Sequence, residues 1–395
     1  MSSAPSPAAA PYRDRLDACP GALQTHAAAD GGLARVRVPG GLLAAAQLRA
    51  LAAAARELGD GHLELTSRGN LQLRGLPAGA EAALGTRLAD VGLLPSATHE
   101  RVRNVLASTL SGRTDDGHVD VRPWVSAFDA GLCADPALAD LPGRFLATLD
   151  DGRGDVAGLG GDVGLLAFAT DSVALTLAGT DSGLRAHPAD AVALALAAAR
   201  GFLAERAAQG STAWRLAELS DGPARVAARL SGGRSRDIGP RVEVPSAPVT
   251  GPVGAAVQVD GRVALLGVVP LGRLTADQAD LLARLAPEVQ VTPWRGVVVP
   301  DLAEDAVDDA AVDLYRTGIV FDEANPWLQV TTCAGRPGCA KSHADVRADA
   351  TAAVRTAALP AGGARQHWAG CERRCGRPQG GVVDVVATPA GYRIG

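Results

Sequence analysis

Aromatic side chains make up only 3% of the 395 residues, and a single lysine, Lys341, stands among 38 basic residues. The first shortage leaves Ala, Val and Leu to fill the core within a hydrophobic fraction of 47%. The second makes arginine the near-sole cation. Its planar fork fits carboxylates, so an acidic ligand suits the composition, and genome composition explains it equally well. The net charge of −5 argues against a general nucleic-acid binder, which would show a basic face. No apolar run is long and uninterrupted enough to predict a membrane span. The opening MSSAPSPAAAPYRDR lacks the basic-then-apolar order of a secretory signal. Residues 1–16 are expected to form a disordered tail, and the cytoplasm is the expected compartment. Six cysteines, four of them between 333 and 375, make no disulfide framework. In a chain of this class such clustering points to metal.

What is present is a duplicated pattern. Ala34–Val38 alternates as a strand, Pro39–Gly41 turns, and Leu42–Leu58 has helical spacing. Leu63–Leu73 alternates again as a hairpin turning at Gly69–Asn70, and a helix is expected over Ala80–Val91. The layout returns at Arg262–Val269, at the Thr275-capped helix Ala276–Leu285, and at the hairpin Glu288–Val299 turning at Arg295–Gly296. ELTSRGNLQLRGL lies over QVTPWRGVVVPDL, with Thr66 opposite Thr292 and Leu76 opposite Leu302. DVGLLP lies over RTGIVF, with Gly92 opposite Gly318, at the same offset along the chain. Between the repeats, strands are expected at Gly164–Ala169 and Ser172–Ala178, and helices at Pro188–Gln209 and Ala213–Leu219. Ser231–Arg241 reads as a mobile loop or linker. A helix near Ala344–Ala358 and a strand at Val382–Ala387 close the chain.

Cys333, Cys339, Cys371 and Cys375 form a C-x5-C pair and a C-x3-C pair on either side of the segment 340–370. Four thiolates from two loops suit a [4Fe–4S] cluster or a tetrahedral zinc, and the wide first spacing favours the cluster. Cys19 and Cys133 stand apart and read as buried structural thiols. Two look-alike motifs fall away. GRPGCAKS (335–342) lacks the P-loop glycine spacing, and GLGGDVG (158–164) lacks the last glycine of a dinucleotide loop. With no nicotinamide or flavin site of its own, the chain is expected to draw electrons from an external donor.

The repeat and the cysteine pairs resemble the sulfite/nitrite reductase superfamily from about Cys19 to the end of the chain. RVPGG (37–41), LTSRGNLQLRGL (65–76), RVRNVLAS (101–108) and the cysteine loops carry the likeness. It implies an α+β fold of two pseudo-symmetric ferredoxin-like βαββα half-domains with two α/β domains. The corresponding bounds are 17–100 and 250–328 for the halves, 101–241 for the first tetrapyrrole-side domain and 329–395 for the iron–sulfur domain. Within that superfamily, DACPGAL (17–23) and HAAADGGLARVRVPGG (26–41) are similar to the precorrin-3B synthase family of aerobic cobalamin biosynthesis. That family hydroxylates precorrin-3A with molecular oxygen and closes a γ-lactone, using a [4Fe–4S] cluster and a mononuclear non-haem iron. The resemblance thus implies an oxygen-dependent monooxygenase with precorrin-3A as substrate.

It also implies that Arg37, Arg68 and Arg103 line a tetrapyrrole pocket, with Asn104 assisting. Charge-assisted forks are what a ring with many carboxylate arms requires. In the segment LPGRFLATLDDG (141–152), Arg144 fits the first basic position that reductases use for their oxyanion, while Leu146 replaces the second. That loss disfavours sulfite and nitrite. Ligands for a mononuclear iron are not assigned: His99 with Glu100, His26, His343 and His367 are candidates, each better read as an ordinary surface or core residue. The rival enzyme reading is a sirohaem-dependent sulfite or nitrite reductase. The rival from another class is an iron–sulfur electron carrier, or a zinc-structural protein, without a catalytic pocket.

Overall fold

The computed structural model describes residue 17, residues 19–232 and residues 239–395. The expected tail over 1–16 lies outside the described residues, as do residues 233–238 of the expected linker. In chain order the elements begin with β1 (His26–Ala28), β2 (Gly31–Val36), β3 (Leu42–Ala44), α1 (Ala45–Leu58), β4 (His62–Leu65), β5 (Leu71–Leu76) and α2 (Ala80–Asp90). Next come β6 (Val105–Ala107), α3 (Arg122–Ala134), β7 (Ala147–Asp150), β8 (Val163–Ala169), β9 (Ser172–Leu177), β10 (Thr180–Ala186), α4 (Pro188–Ala208) and α5 (Gly222–Ser231). The second repeat holds β11 (Gly254–Val257), β12 (Val263–Val268), β13 (Arg273–Thr275), α6 (Ala276–Leu285), β14 (Glu288–Val291), β15 (Gly296–Leu302) and α7 (Val307–Arg316). The chain ends with β16 (Val330–Thr332), α8 (Val346–Arg355), β17 (Gln366–Ala369), β18 (Val383–Thr388) and β19 (Gly391–Ile394).

Residues 20–94 and 248–395 make one compact unit. Two antiparallel sheets belong to its repeated halves, in the orders β1-β2-β5-β4-β13 and β11-β12-β15-β14-β3. Each half therefore lends its short third strand to the other: β3 pairs with β14 and β13 with β4. Leu42–Ala44, expected as the start of a helix, is this exchanged strand. Its partner lies in the other repeat, far along the chain (Leu43 opposite Val289), so no local pattern reports it.

Behind the two sheets, α1 packs on α6, and one apolar cluster joins Leu48, Leu51 and Leu63 of the first half to Leu274, Leu282 and Val289 of the second. Burial of such side chains contributes about 1.5–3 kcal/mol each.

The repeat is chemically faithful. Gln278 accepts from the Thr275 N–H and donates to the Thr317 carbonyl, and Gln47 likewise accepts from Ala44 and donates to Val91. The Thr66 and Thr292 hydroxyls each accept the N–H of the residue four positions on, closing both hairpin turns. The offset between the repeats changes across the helices, where Ala45 answers to Ala276 before them and His62 to Glu288 after them. The change arises because α1 has 14 residues and α6 only 10, together with a one-residue difference in the connections.

The same unit carries a four-stranded sheet, β16-β17-β18-β19, whose first three strands run parallel. The other unit, built on residues 95–247, has the related order β10-β9-β8-β7-β6, with β6, β7 and β8 parallel. α4 begins on Pro188, with the His187 ring accepting from the Ala189 N–H at 3.3 Å. The helix expected at Ala213–Leu219 is only a single tight turn over Leu216–Glu218, and the helix proper is α5. Pro223 at its first turn, after Asp221 and Gly222, is the start signal that outweighs the upstream Ala/Leu pattern.

Candidate functional site

The four clustered cysteines stand on loops at the ends of two parallel strands. Cys333 follows β16, and its N–H donates to the Trp368 carbonyl of β17 at 3.0 Å. Gly370, directly after β17, donates its N–H to the Cys333 sulfur at 3.1 Å. A side chain at residue 370 would meet the Ser342 hydroxyl at 1.9 Å, so glycine is needed for this approach. The loop carrying Cys339 is braced from within by Arg336 Nε donating to the Ser342 carbonyl and by the Ser342 N–H donating to the Cys339 carbonyl. From the first half, Arg74 on β5 donates to the Gly338 carbonyl at 2.8 Å while its fork grips Asp30 at 2.9 and 3.0 Å. Glu64 on β4 pairs with Arg347 on α8 at 2.5 Å. The cysteine loops are thus fastened to the first sheet by charge-assisted bonds.

Cys375 is exposed and the other three are partly so. Burial pushes the Cys375 thiol up, and Cys333, Cys371 and Cys339 push it further. Cys375 therefore lies within electrostatic reach of the other three, and as thiolates the four would need positive charge among them. No group of three or more His, Cys, Asp or Glu side chains among the described residues is arranged to hold a single metal ion. Cys19 and Cys133, expected to be buried, are only partly so.

The arginines divide between the units. Arg37 and Arg68 belong with the cysteines, whereas Arg103, Asn104 and Arg144 belong to the other unit. Arg37 is 2% exposed at the end of β2, with Nη2 3.4 Å from the Pro20 carbonyl. Arg68 is half-buried in the β4–β5 turn. Arg103 has its fork committed to Asp129 of α3 through two bonds of 2.7 Å. Asn104 donates to the Gly143 and Phe145 carbonyls at 3.0 and 3.1 Å, fixing the entry to β7. These two brace their loop, a role that sequence alone does not separate from ligand binding. Arg144 is exposed, its guanidinium 5.1 Å from the centre of the Trp214 ring. Leu146 is buried against Leu106 and Val156.

Of the histidines, His99 has both ring nitrogens engaged, Nδ1 with Ser96 and Thr98 and Nε2 with the Asp135 carbonyl. Glu100 beside it is buried, and His26 and His343 are exposed. His367 is fully buried with Nδ1 on the Thr331 hydroxyl at 2.9 Å. Burial, with Arg295 nearby, pushes its pKa down to about 4, so it is neutral at pH 7. Sequence reading passed over Arg74 and Glu64. Their one signal is a charge at a strand position whose neighbours alternate as core.

Both halves match the family model described as the nitrite/sulfite reductase ferredoxin-like half domain, over residues 26–91 and 257–314. The chain is 29% identical to a protein named Precorrin-3B synthase from Sinorhizobium over 387 residues, which are 96% of this chain and 82% of that relative. It is 25% identical to a chloroplastic ferredoxin–nitrite reductase of Arabidopsis thaliana over 402 residues, 89% of this chain and 66% of that one. The solved structure of the Mycobacterium tuberculosis NirA protein superposes with a TM-score of 0.73 at 21% identity, covering 92% of this chain and 74% of that one. That likeness establishes the fold. No helix among the described residues is long and apolar enough to cross a membrane.

Proposed function

We propose that this chain is an oxygen-dependent precorrin-3B synthase, hydroxylating precorrin-3A and closing a γ-lactone in cobalamin biosynthesis. The observation that carries this reading is the similarity to the Sinorhizobium relative, which extends over 96% of the chain. Leu146 adds to it: the position where reductases of the superfamily hold a second cation is filled here by a buried aliphatic side chain. In a monooxygenase reaction one oxygen atom enters the substrate and the other leaves as water, so an external electron donor is required.

Cys333, Cys339, Cys371 and Cys375 would hold a [4Fe–4S] cluster. Four soft sulfurs on two neighbouring loops, three of them acting on Cys375, a backbone N–H aimed at Cys333 and a glycine that lets the loops close fit such a group. When bound, the cluster supplies one-electron relay from the donor. The chain's own contribution is to hold the ligands in place: Arg74 fixes the Cys339 loop and Glu64 fixes α8. Arg37 and Arg68 would receive acidic arms of the tetrapyrrole, while Arg103 and Asn104 brace their own loop. His99 is not available as a ligand of a mononuclear iron, since both its nitrogens are used.

A visible spectrum of anaerobically purified protein, followed by oxygen-dependent turnover of precorrin-3A, tests the reading. A broad brown shoulder and an oxygenated lactone product are expected, and Cys339→Ser should abolish the shoulder. Sharp haem bands would instead favour the sirohaem-dependent reductase, a reading supported by the nitrite reductase relatives. A featureless spectrum would remove the cluster, and a shoulder without turnover would leave an electron carrier.

A further inference from the structure

A cavity of about 110 Å³ lies between the second half-domain and the cysteine-bearing sheet of the same unit. Its walls include Trp294, Trp327, Leu271 and Pro252, and two arginines, Arg295 and Arg365, reach it. No aspartate or glutamate lines it. Trp294 is held in place by its indole N–H donating to the Pro248 carbonyl at 2.9 Å, so that wall is rigid.

Arg295 sits at the turn between β14 and β15 with φ of 63°, a left-handed conformation that disfavours a side chain. Its Nη2 donates to the Gly376 carbonyl at 3.1 Å, and its Nη1 is buried with no hydrogen-bond partner. A buried guanidinium nitrogen left unpaired costs free energy that a ligand oxygen would recover. Arg365, half-buried, is a second cation lining the same cavity. Burial holds its pKa below the ordinary value. Two cations, one with an unpaired buried nitrogen, at an aromatic-walled cavity that no carboxylate lines call for an anion carried on an apolar stem. Size narrows the choice: about 110 Å³ is well below the ~300–1,000 Å³ of a pocket enclosing a whole small molecule. There is room for an arm and not for a ring.

We propose that this cavity is a carboxylate-arm subsite, in which Arg295 and Arg365 bind one acidic arm of a tetrapyrrole while Trp294 and Trp327 flank its methylenes. The ligand's identity rests on the tetrapyrrole reading given under Proposed function, and the placement of the arm rests on the cavity itself. Gly376 adjoins Cys375, so an arm held here would anchor the ring edge beside the cysteine loop.

The test is a titration of the anaerobically purified full chain with uroporphyrin, metal-free and as its iron complex, followed by the shift of the ring's main absorption band. Arg365→Gln, which leaves the turn backbone untouched, should weaken binding roughly 10- to 100-fold, as expected for loss of a charge-assisted bond. Arg295→Gln should do the same, with far-UV circular dichroism and the visible shoulder reporting integrity. If that variant does not fold, Arg365→Gln decides alone. Equal losses for both rings support a subsite that reads the carboxylate of either a substrate or a haem. A loss confined to one supports the subsite and assigns it to that ring. Binding of wild type and variants with the same affinity overturns the subsite and leaves the tetrapyrrole reading standing. Failure of wild type to bind either ring overturns both.

Discussion

Replacing Arg74 with methionine keeps an unbranched side chain in place and removes a guanidinium whose side chain is only 6% exposed. Three bonds are lost: the two-pronged grip on Asp30 and the 2.8 Å bond to the Gly338 carbonyl next to Cys339. Glu64, 4.0 Å away, loses part of its compensation as well. Breaking a buried ion pair from one side costs about 3–5 kcal/mol. Asp30 is 21% exposed and can rehydrate, which places the cost at the low end. For a unit of roughly 200 residues, 3 kcal/mol corresponds to a fall in Tm of about 6–12 °C. Thermal unfolding should be followed anaerobically by far-UV circular dichroism and by the visible shoulder together. The two signals should fall together in wild type, and the shoulder should be lost first in Arg74→Met, because the change loosens the Cys339 loop directly. Arg74→Lys, which keeps charge without the fork, should lie between. A Tm shift below about 2 °C with the shoulder retained would refute the claim that Arg74 fastens the cysteine loop.

Two further expectations concern the fold. Burial, and then Asp150, push the pKa of Asp155 up to about 6. Its stabilising contribution is therefore complete below the unfolded value near 4 and is lost as pH rises through about 6, a change of roughly 3 kcal/mol at most. Denaturant midpoints at pH 4.5 and 7 should show this loss in wild type and not in Asp155→Asn; parallel pH profiles would rule it out. In the first half, Gly41 has φ of 70°, and a Cβ there would lie 1.9 Å from the Val291 carbonyl oxygen. Gly79 has φ of 85° and nothing within 4 Å. Gly41→Ala should cost about 2–5 kcal/mol from backbone strain and overpacking combined, and Gly79→Ala only the strain, about 1–2 kcal/mol. Equal costs in urea unfolding would show that the close approach of β14 does not matter.

The duplicated halves were legible because alternation, caps and turn residues are local, and Thr66 and Thr292 close the same turn by the same bond. The resemblance of the cysteine spacing to the superfamily was legible for a similar reason: the loops are short and read in order. The exchange of β3 and β13 was not, since three residues of Leu-Leu-Ala carry no record of a partner in the other half. Nor could sequence say what an arginine is doing. Arg103 and Arg144 look alike in the chain, yet one closes on Asp129 and the other lies over Trp214. Local propensity also misplaced α5, where a proline start signal outweighed an Ala/Leu pattern just upstream.

The reciprocal loan of β3 and β13 bears on how such a chain could arise and how it can be cut. A half-domain separated from its twin would expose the outer edge of β4 or β14 and carry a short strand with nothing to pair on. Two identical copies of one half would repair this by swapping, each filling the other's gap. Two such copies would form a homodimer, and joining the halves in one chain spares the assembly its concentration dependence. The same logic permits the chain to be split between the halves and reconstituted from two fragments, provided both are present when either folds.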